Sequence, residues 1–316
     1  MAYGLMALLT GCQESECVEE ESEKLPMSIE ARIDEAGGAS RSADKPGKSE
    51  FLSNDAIGLF VNEQAVAKWT KNESDSWSTT PAAYWPDKTS NHNFYAFYPY
   101  VESASKSSVP MPDLTKQTGK AEELAKYDFL VAKATQSYTT NTGVVSFSNG
   151  NAFHHVSSLI TLKIDGSGDL SSSTINGISL TGTDIVASST YSFDNSSAPV
   201  SVADGNKKNI LAVTGLNGTM NSAGLTYYFI LNSNTVTHSA VELVLDYTTG
   251  SDKYKARKTG LGSGSSHYEG GKRYDYTLKI TDGVLTISGG EIADWASGGT
   301  LDDIMINGEK QEATES

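Results

Sequence analysis

Cysteine is almost missing from this 316-residue chain: there are two, Cys12 and Cys17, both at the extreme N-terminal end. A C-x4-C pair with no second Cys/His pair supplies half the ligands of a closed zinc site, so a metal role is not expected. Positive charge is also short. Against 39 acidic residues stand 24 Lys and Arg, giving a net charge of −15 and a pI near 4.7. Such a chain repels polyanions at long range, which argues against a nucleic-acid partner. Long apolar runs are lacking too. The opening MAYGLMALLTG is too short to cross about 30 Å of hydrocarbon as a helix.

The signatures of catalysis are missing as well. There is no G-x-S-x-G, no H-E-x-x-H and no paired catalytic carboxylates. His154 and His155 fall at a strand start, where neighbours point to opposite faces and no third ligand is at hand; packing or hydrogen bonding is the expected role. The glycine-rich run GLGSGSSHYEGG (260–271) is followed by a strand pattern rather than a helix, so it reads as a hairpin loop and not as a phosphate cradle. No enzyme activity, metal or cofactor is expected.

What is present is strand after strand. MSIEARID (27–34) alternates Ile29, Ala31 and Ile33 with polar residues, the period-2 mark of a half-buried strand. DAIGLFVN, NFYAFYPYV, GVVSFSN and HVSSLITLKIDG follow, then INGISLTG, STYSFD, NILAVTG, LTYYFILN, AVELVLDYT, RYDYTLKIT and GVLTISGG, at spacings too short for crossover helices. Helical period is convincing only in GKAEELAKYD (119–128), with Leu124 and Tyr127 on one side. Length favours two domains. The Gly/Ser/Asp-rich DGSGDLSSST (165–174) is the linker candidate, dividing 27–167 from 168–316. Both halves read as all-β.

The start of the chain has its own logic. Leu9-Thr10-Gly11-Cys12 resembles the lipobox of bacterial lipoproteins, which implies removal of residues 1–11 and acylation of Cys12. The apolar stretch before it lacks a positive n-region, so the true start is expected a few residues upstream. Two or three acyl chains hold a protein on a membrane where one does not, at about 0.8 kcal/mol per buried CH₂. Glu14, Glu16, Glu19, Glu20, Glu21 and Glu23 then form a solvated acidic tether over 12–26. A similar acidic stretch is a surface-export signal in lipoproteins of Bacteroidota. With Cys12 acylated, Cys17 has no partner in the chain.

In order, DAIGLFV, NFYAFYPY, YDFLVAKATQ, FHHVSSLITLKI, LTYYFILN, GGKRYDYTLKI and GGEIADW resemble the fimbrillin A/Mfa-like family of Bacteroidota. The likeness runs from about residue 27 to 296. It implies two tandem β-sandwich domains of transthyretin-like topology and an outer-membrane lipoprotein at the cell surface. It also implies a fimbrial subunit or fimbrillin-like adhesin whose partners are other subunits joined by strand exchange. In that scheme a protease cuts after the first strand, which leaves, and the vacated groove accepts a strand from the next subunit. The physics is β-augmentation. Here the expendable strand is 27–34; the cut falls at Arg41, in the loop, or alternatively at Arg32, inside the strand. The donor candidate is LDDIMINGEKQEATES, with Leu301, Ile304 and Ile306, a meagre set of anchors.

A rival reading rests on aromatic residues. Exposed Trp and Tyr stack on sugar faces, so Trp77 and Trp85, in the region 69–85, are candidates for binding a glycan in a monomeric surface lipoprotein; a host protein or glycan is a possible partner on either reading. In NFYAFYPY the alternation sets Tyr95 and Phe97 on one face and Phe94, Ala96 and Tyr98 on the other, the pattern of a strand buried on both sides.

Overall fold

The computed structural model describes residues 24–34, 48–233, 236–262 and 267–294. These residues form seventeen strands: β1 (Ser28–Ala31), β2 (Ala56–Val61), β3 (Ala67–Lys71), β4 (Trp77–Thr79), β5 (His92–Tyr98), β6 (Val109–Pro110), β7 (Leu130–Gln136), β8 (Val144–Phe147) and β9 (His154–His155) in the first half, then β10 (Ser158–Ile164), β11 (Ser173–Tyr191), β12 (Val200–Thr219), β13 (Leu225–Leu231), β14 (Glu242–Thr249), β15 (Asp252–Thr259), β16 (Lys272–Thr281) and β17 (Val284–Asp294). The all-β expectation holds. The described helical pieces are one four-residue turn, Tyr138–Asn141, and short 3-10 turns. The stretch expected to be helical is one of these, Ala121–Lys126. Ten residues between Gly119, at φ +76, and the next strand are too few to repay helix nucleation. Leu124 is nonetheless buried and Tyr127 packs against the same core, as the spacing required.

A six-stranded sheet in the order β4-β3-β2-β5-β7-β9 lies at the centre of the first half. Its strands are apolar on both faces, and both are covered. Ile57, Leu59, Trp69, Phe94 and Ala96 face one core; Phe60, Phe97, Phe129 and Val131 face another. The division of NFYAFYPY between two faces is thus as expected. Gly58 sits opposite Phe97, and a Cβ there would come within 2.2 Å of that ring, so glycine lets the aromatic side chain lie across β2.

The second half packs the sheet β13-β10-β16-β17 against β12-β11-β14-β15, with residues of both filling one core. This is a β-sandwich. Strand β10, expected to close the first half, pairs instead with β13 and β16. The expected linker 165–174 is therefore the turn from β10 to β11, and Leu170 within it is fully buried in the sandwich core. Its Gly/Ser/Asp composition reflects tight turns rather than a free tether. Strand β15 carries four basic residues, which hide it from an apolar alternation; Lys and Arg are common at sheet edges, where they discourage further pairing.

The halves are joined by more than the chain at 156–158. Residues 104–126 leave the first half, where β6 pairs with β11, Leu114 and Leu124 enter the sandwich core, and the chain returns at Phe129. Along this path the Gln117 amide accepts from Ile230 N at 2.6 Å and donates to Ile230 O at 2.8 Å, closing the outer edge of β13. Tyr191 and Phe193 reach back to Phe60, Tyr95 and Phe129.

Candidate functional site

The segment Lys24–Asp34 lies in a slot along the first half. Its alternation is regular: Leu25, Met27, Ile29 and Ile33 are 7–8% exposed, while Lys24, Pro26, Ser28, Arg32 and Asp34 face outward. Burying four such side chains is the main force that seats the strand, each contributing about 1.5–3 kcal/mol. The strand thus extends two anchors, Leu25 and Met27, upstream of the three that the sequence pattern picked out. They were masked by Pro26, which reads as a breaker but sits with its side chain in solvent, opposite Tyr84.

Backbone pairing is lopsided. The even-numbered residues point at β8, which runs parallel with Ser28 beside Val144 and Ala31 beside Phe147. Arg32 N donates to Phe147 O at 2.9 Å, and Phe153 N and Asp34 N continue the ladder beyond. The odd-numbered edge is paired only at its start: Met27 N donates to Ala83 O at 3.0 Å, and Trp85 N to Leu25 O at 2.9 Å. From Ile29 to Ile33 this edge has no ladder partner among the described residues. In the second half β10 is antiparallel to β13 on one side and parallel to β16 on the other, and it is paired on both sides along nearly its whole length. Of the strands that open the two halves, β10 is laddered on both sides and β1, among the described residues, is paired along its length on one side alone.

Arg32 is anchored through its backbone on this ladder while its side chain is exposed and pairs with Glu30 at 3.0 Å. Beyond Asp34 the chain is next described at Lys48, which is 7% exposed. Its ammonium meets the Asp55 carboxylate, and its backbone N–H donates to Asp128 Oδ2 at 3.3 Å. Asp128, fully buried, is also bonded to His155 Nδ1 at 2.9 Å, so this histidine is hydrogen-bonded as its sequence context suggested. Tyr98 donates to Asp55 at 3.3 Å, and burial, reinforced by the Asp55 charge, pushes its phenol well above the usual range. Buried charges of both signs are thus mutually satisfied, and the chain is pinned where it re-enters the core.

Of the two tryptophans, Trp85 is a correction. It is 3% exposed, donates from Nε1 to Gly143 O at 2.9 Å and packs edge-on against Phe94. No ring face is open to a sugar; Trp85 forms a wall of the slot. Trp77 is half-buried, edge-on to Phe51 at 5.3 Å, and lines a groove of about 780 Å³ with Phe51, Ile29, Ala31 and Ile33. Cys12, Cys17, Arg41, Leu301, Ile304 and Ile306 lie outside the described residues. Among the described residues no group of three or more His, Cys, Asp or Glu could hold a metal ion.

Similarity to known proteins follows the same lines. A Bacteroides uniformis protein named "Putative fimbrium subunit Fim1C" is 24% identical over 309 residues, covering 92% of each chain. Two crystal structures, each titled as that of a "putative cell adhesion protein", share the fold. The one from Bacteroides ovatus has a TM-score of 0.62 at 16% identity and covers 87% of this chain and 99% of its own. The one from Bacteroides uniformis has a TM-score of 0.59 at 18% identity and covers 86% and 99%. A fimbrial protein of Bacteroides vulgatus has a TM-score of 0.50 at 16% identity over 76% and 92%. None of these is described as an enzyme. The model for the fimbrillin-like family matches residues 41–295, which contain every described strand except β1, and on that match the chain belongs to the fimbrillin-like family.

Proposed function

We propose that the protein is a fimbrial subunit or fimbrillin-like adhesin, without enzymatic activity, that joins other fimbrial subunits by exchanging its first strand. The observation that carries this is the seating of residues 24–34: five alternate side chains face a slot, yet half of one backbone edge is unpaired among the described residues. Such a strand is held by burial more than by its ladder and can be replaced by another of like pattern. Removal without replacement leaves an apolar trench and unmatched N–H and C=O groups, which drives capture of a new strand. Arg41 is the cleavage position in this scheme. Arg32 is the poorer alternative, since its peptide is bonded on both sides of the residue. The tail with Leu301, Ile304 and Ile306 is the candidate donor. Acylated Cys12 and the tether 12–26 root the uncut chain in the outer membrane at the cell surface.

The two halves are read as tandem domains of transthyretin-like topology, opened by β1 and β10. Since β10 belongs to the second sandwich, the boundary is better placed near residues 156–158. Nothing at the site favours the glycan-binding alternative, because Trp85 is walled in and Trp77 is turned edge-on.

The test is direct. Protein lacking residues 1–12 is treated with an arginine-specific protease. A single cut at Arg41, abolished by Arg41→Ala, followed by SDS-resistant ladders, is the expected result. A clean cut with no release of residues 13–41 under native conditions would overturn the exchange scheme.

A further inference from the structure

The first strand is paired with a neighbour that runs the same way. β1 and β8 are parallel, in register from Ser28 beside Val144 to Ala31 beside Phe147. The pairing is prolonged at both ends. Ser28 N donates to Gly143 O at 3.2 Å, and past β8 the amides of Arg32, Phe153 and Asp34 donate in turn across the same seam at 2.7–2.9 Å. The upstream end of the strand lies beside Ala83 and Gly143. Its Asp34 end lies beside Phe153, from which the chain passes within a few residues to Ser158, the start of β10 in the second sandwich.

This topology fixes how a lengthwise load is carried. A chain held on its N-terminal side and pulled through its second half draws β1 by its first residue and β8 by its last, so the two parallel strands are dragged past each other. In that geometry the cross-strand bonds share the load and fail together. Pulled apart from one end, the same bonds fail one after another, and a single backbone hydrogen bond is weak in net terms. Slippage along the slot is opposed as well. Side chains alternate with period 2, so a shift of one residue towards the N-terminus brings Glu30 and Arg32 to the inward positions now held by Ile29 and Ala31. These two charges, paired with each other in solvent at 3.0 Å, would be stripped of water on the way.

We propose that β1 and β8 form a force-bearing clamp, by which the uncut subunit resists extraction when it is pulled against its own N-terminal tether. The proposal rests on the reading of residues 12–26 as a membrane root, which supplies the load, and it concerns the resident strand rather than any replacement. A strand that can be peeled from one end thus withstands a pull along its axis.

The test compares two directions of pull on one fold. In the chain lacking residues 1–12, Cys17 is the only cysteine and serves as one handle. The second handle is Ser251→Cys, exposed in the turn between β14 and β15, or Thr142→Cys, exposed just before β8. Pulling residue 17 against 251 shears the pair, and pulling 17 against 142 unzips it. By single-molecule force spectroscopy at one pulling speed, the first rupture is expected to need at least twice the force in shear as in unzipping. Equal or lower force in shear would overturn the clamp. The outward-facing pair Glu30→Ala with Arg32→Ala should lower the shear force and leave the unzipping force unchanged; an unchanged shear force, or an equal fall in both, overturns the slippage argument. The root is checked separately by labelling the full chain with a palmitate analogue, a signal to be lost in Cys12→Ser. No label at Cys12 sinks the anchoring reading, while the force ratio still judges the clamp.

Discussion

Replacing Ile29 by alanine should loosen the first strand without unfolding the protein. Ile29 is 7% exposed and sits at the middle of the inward row, between Met27 and Ala31. The substitution removes three carbons, about 2.4 kcal/mol of transfer energy; allowing for the cavity left in a core that relaxes only partly, the cost is about 2–4 kcal/mol. If the strand opens as a unit, that cost appears as a change of roughly 30- to 1000-fold in its local opening constant. The reporters are named by the hydrogen bonds: the amides of Met27, Ser28, Arg32, Asp34, Trp85 and Phe153 all donate across the slot or its continuation. Native-state hydrogen exchange should speed up at these amides together, while those of β16, in the second sandwich, stay unchanged. Ser28→Ala, on the solvent face, should do almost nothing. Equal acceleration of the slot and β16 amides would refute the reasoning, because the strand would then open only with the whole molecule.

Other perturbations reach the rest of the structure. Asp128→Ala removes the shared partner of Lys48 N and His155, and leaving buried polar groups unmatched should cost about 3–5 kcal/mol in urea unfolding. Gly58→Ala drives a Cβ into the Phe97 ring and should destabilise by about 1–3 kcal/mol, visible as a lower Tm. His238 is buried against Tyr268 and Tyr274, and burial holds its pKa below 6.5, although the His267 backbone and the Glu269 charge pull it upward. The unfolded chain therefore binds the proton more readily, so stability should fall as pH drops through 6.5 towards the lowered folded value. His238→Phe should flatten that slope in denaturant titrations at pH 5–7.

Much of this was legible from residue order, because period-2 alternation reports burial directly. MSIEARID, NFYAFYPY and RYDYTLKIT all form strands with their apolar residues where the alternation puts them. What alternation cannot report is pairing. The pattern of SLITLKI is the same whether it closes one sheet or opens the next, and only its bonds to β13 and β16 decide. Polarity misled in the other direction at DKYKARKT, a sheet edge whose Lys253, Lys255 and Arg257 suit solvent on one face while Lys258 is buried. The slot shows the same division. Ile29, Ala31 and Ile33 could be read from sequence, but the anchors Leu25 and Met27 beside Pro26 and the burial of Trp85 could not, since a tryptophan near turns looks alike whether it covers a strand or stands in water. The Asp128–His155 pair joins residues 27 positions apart and the Lys48–Asp128 bond spans 80, and neither leaves a local trace.

The excursion of residues 104–126 has a mechanical consequence. Because the chain passes between the halves on the way out, on the way back and again near 156–158, a bending load at the junction falls on three peptide crossings and on the Gln117–Ile230 clasp rather than on one flexible connector. Such a junction transmits torque instead of swivelling. A filament built from these units would draw its compliance from the joints between subunits, leaving each subunit a stiff link.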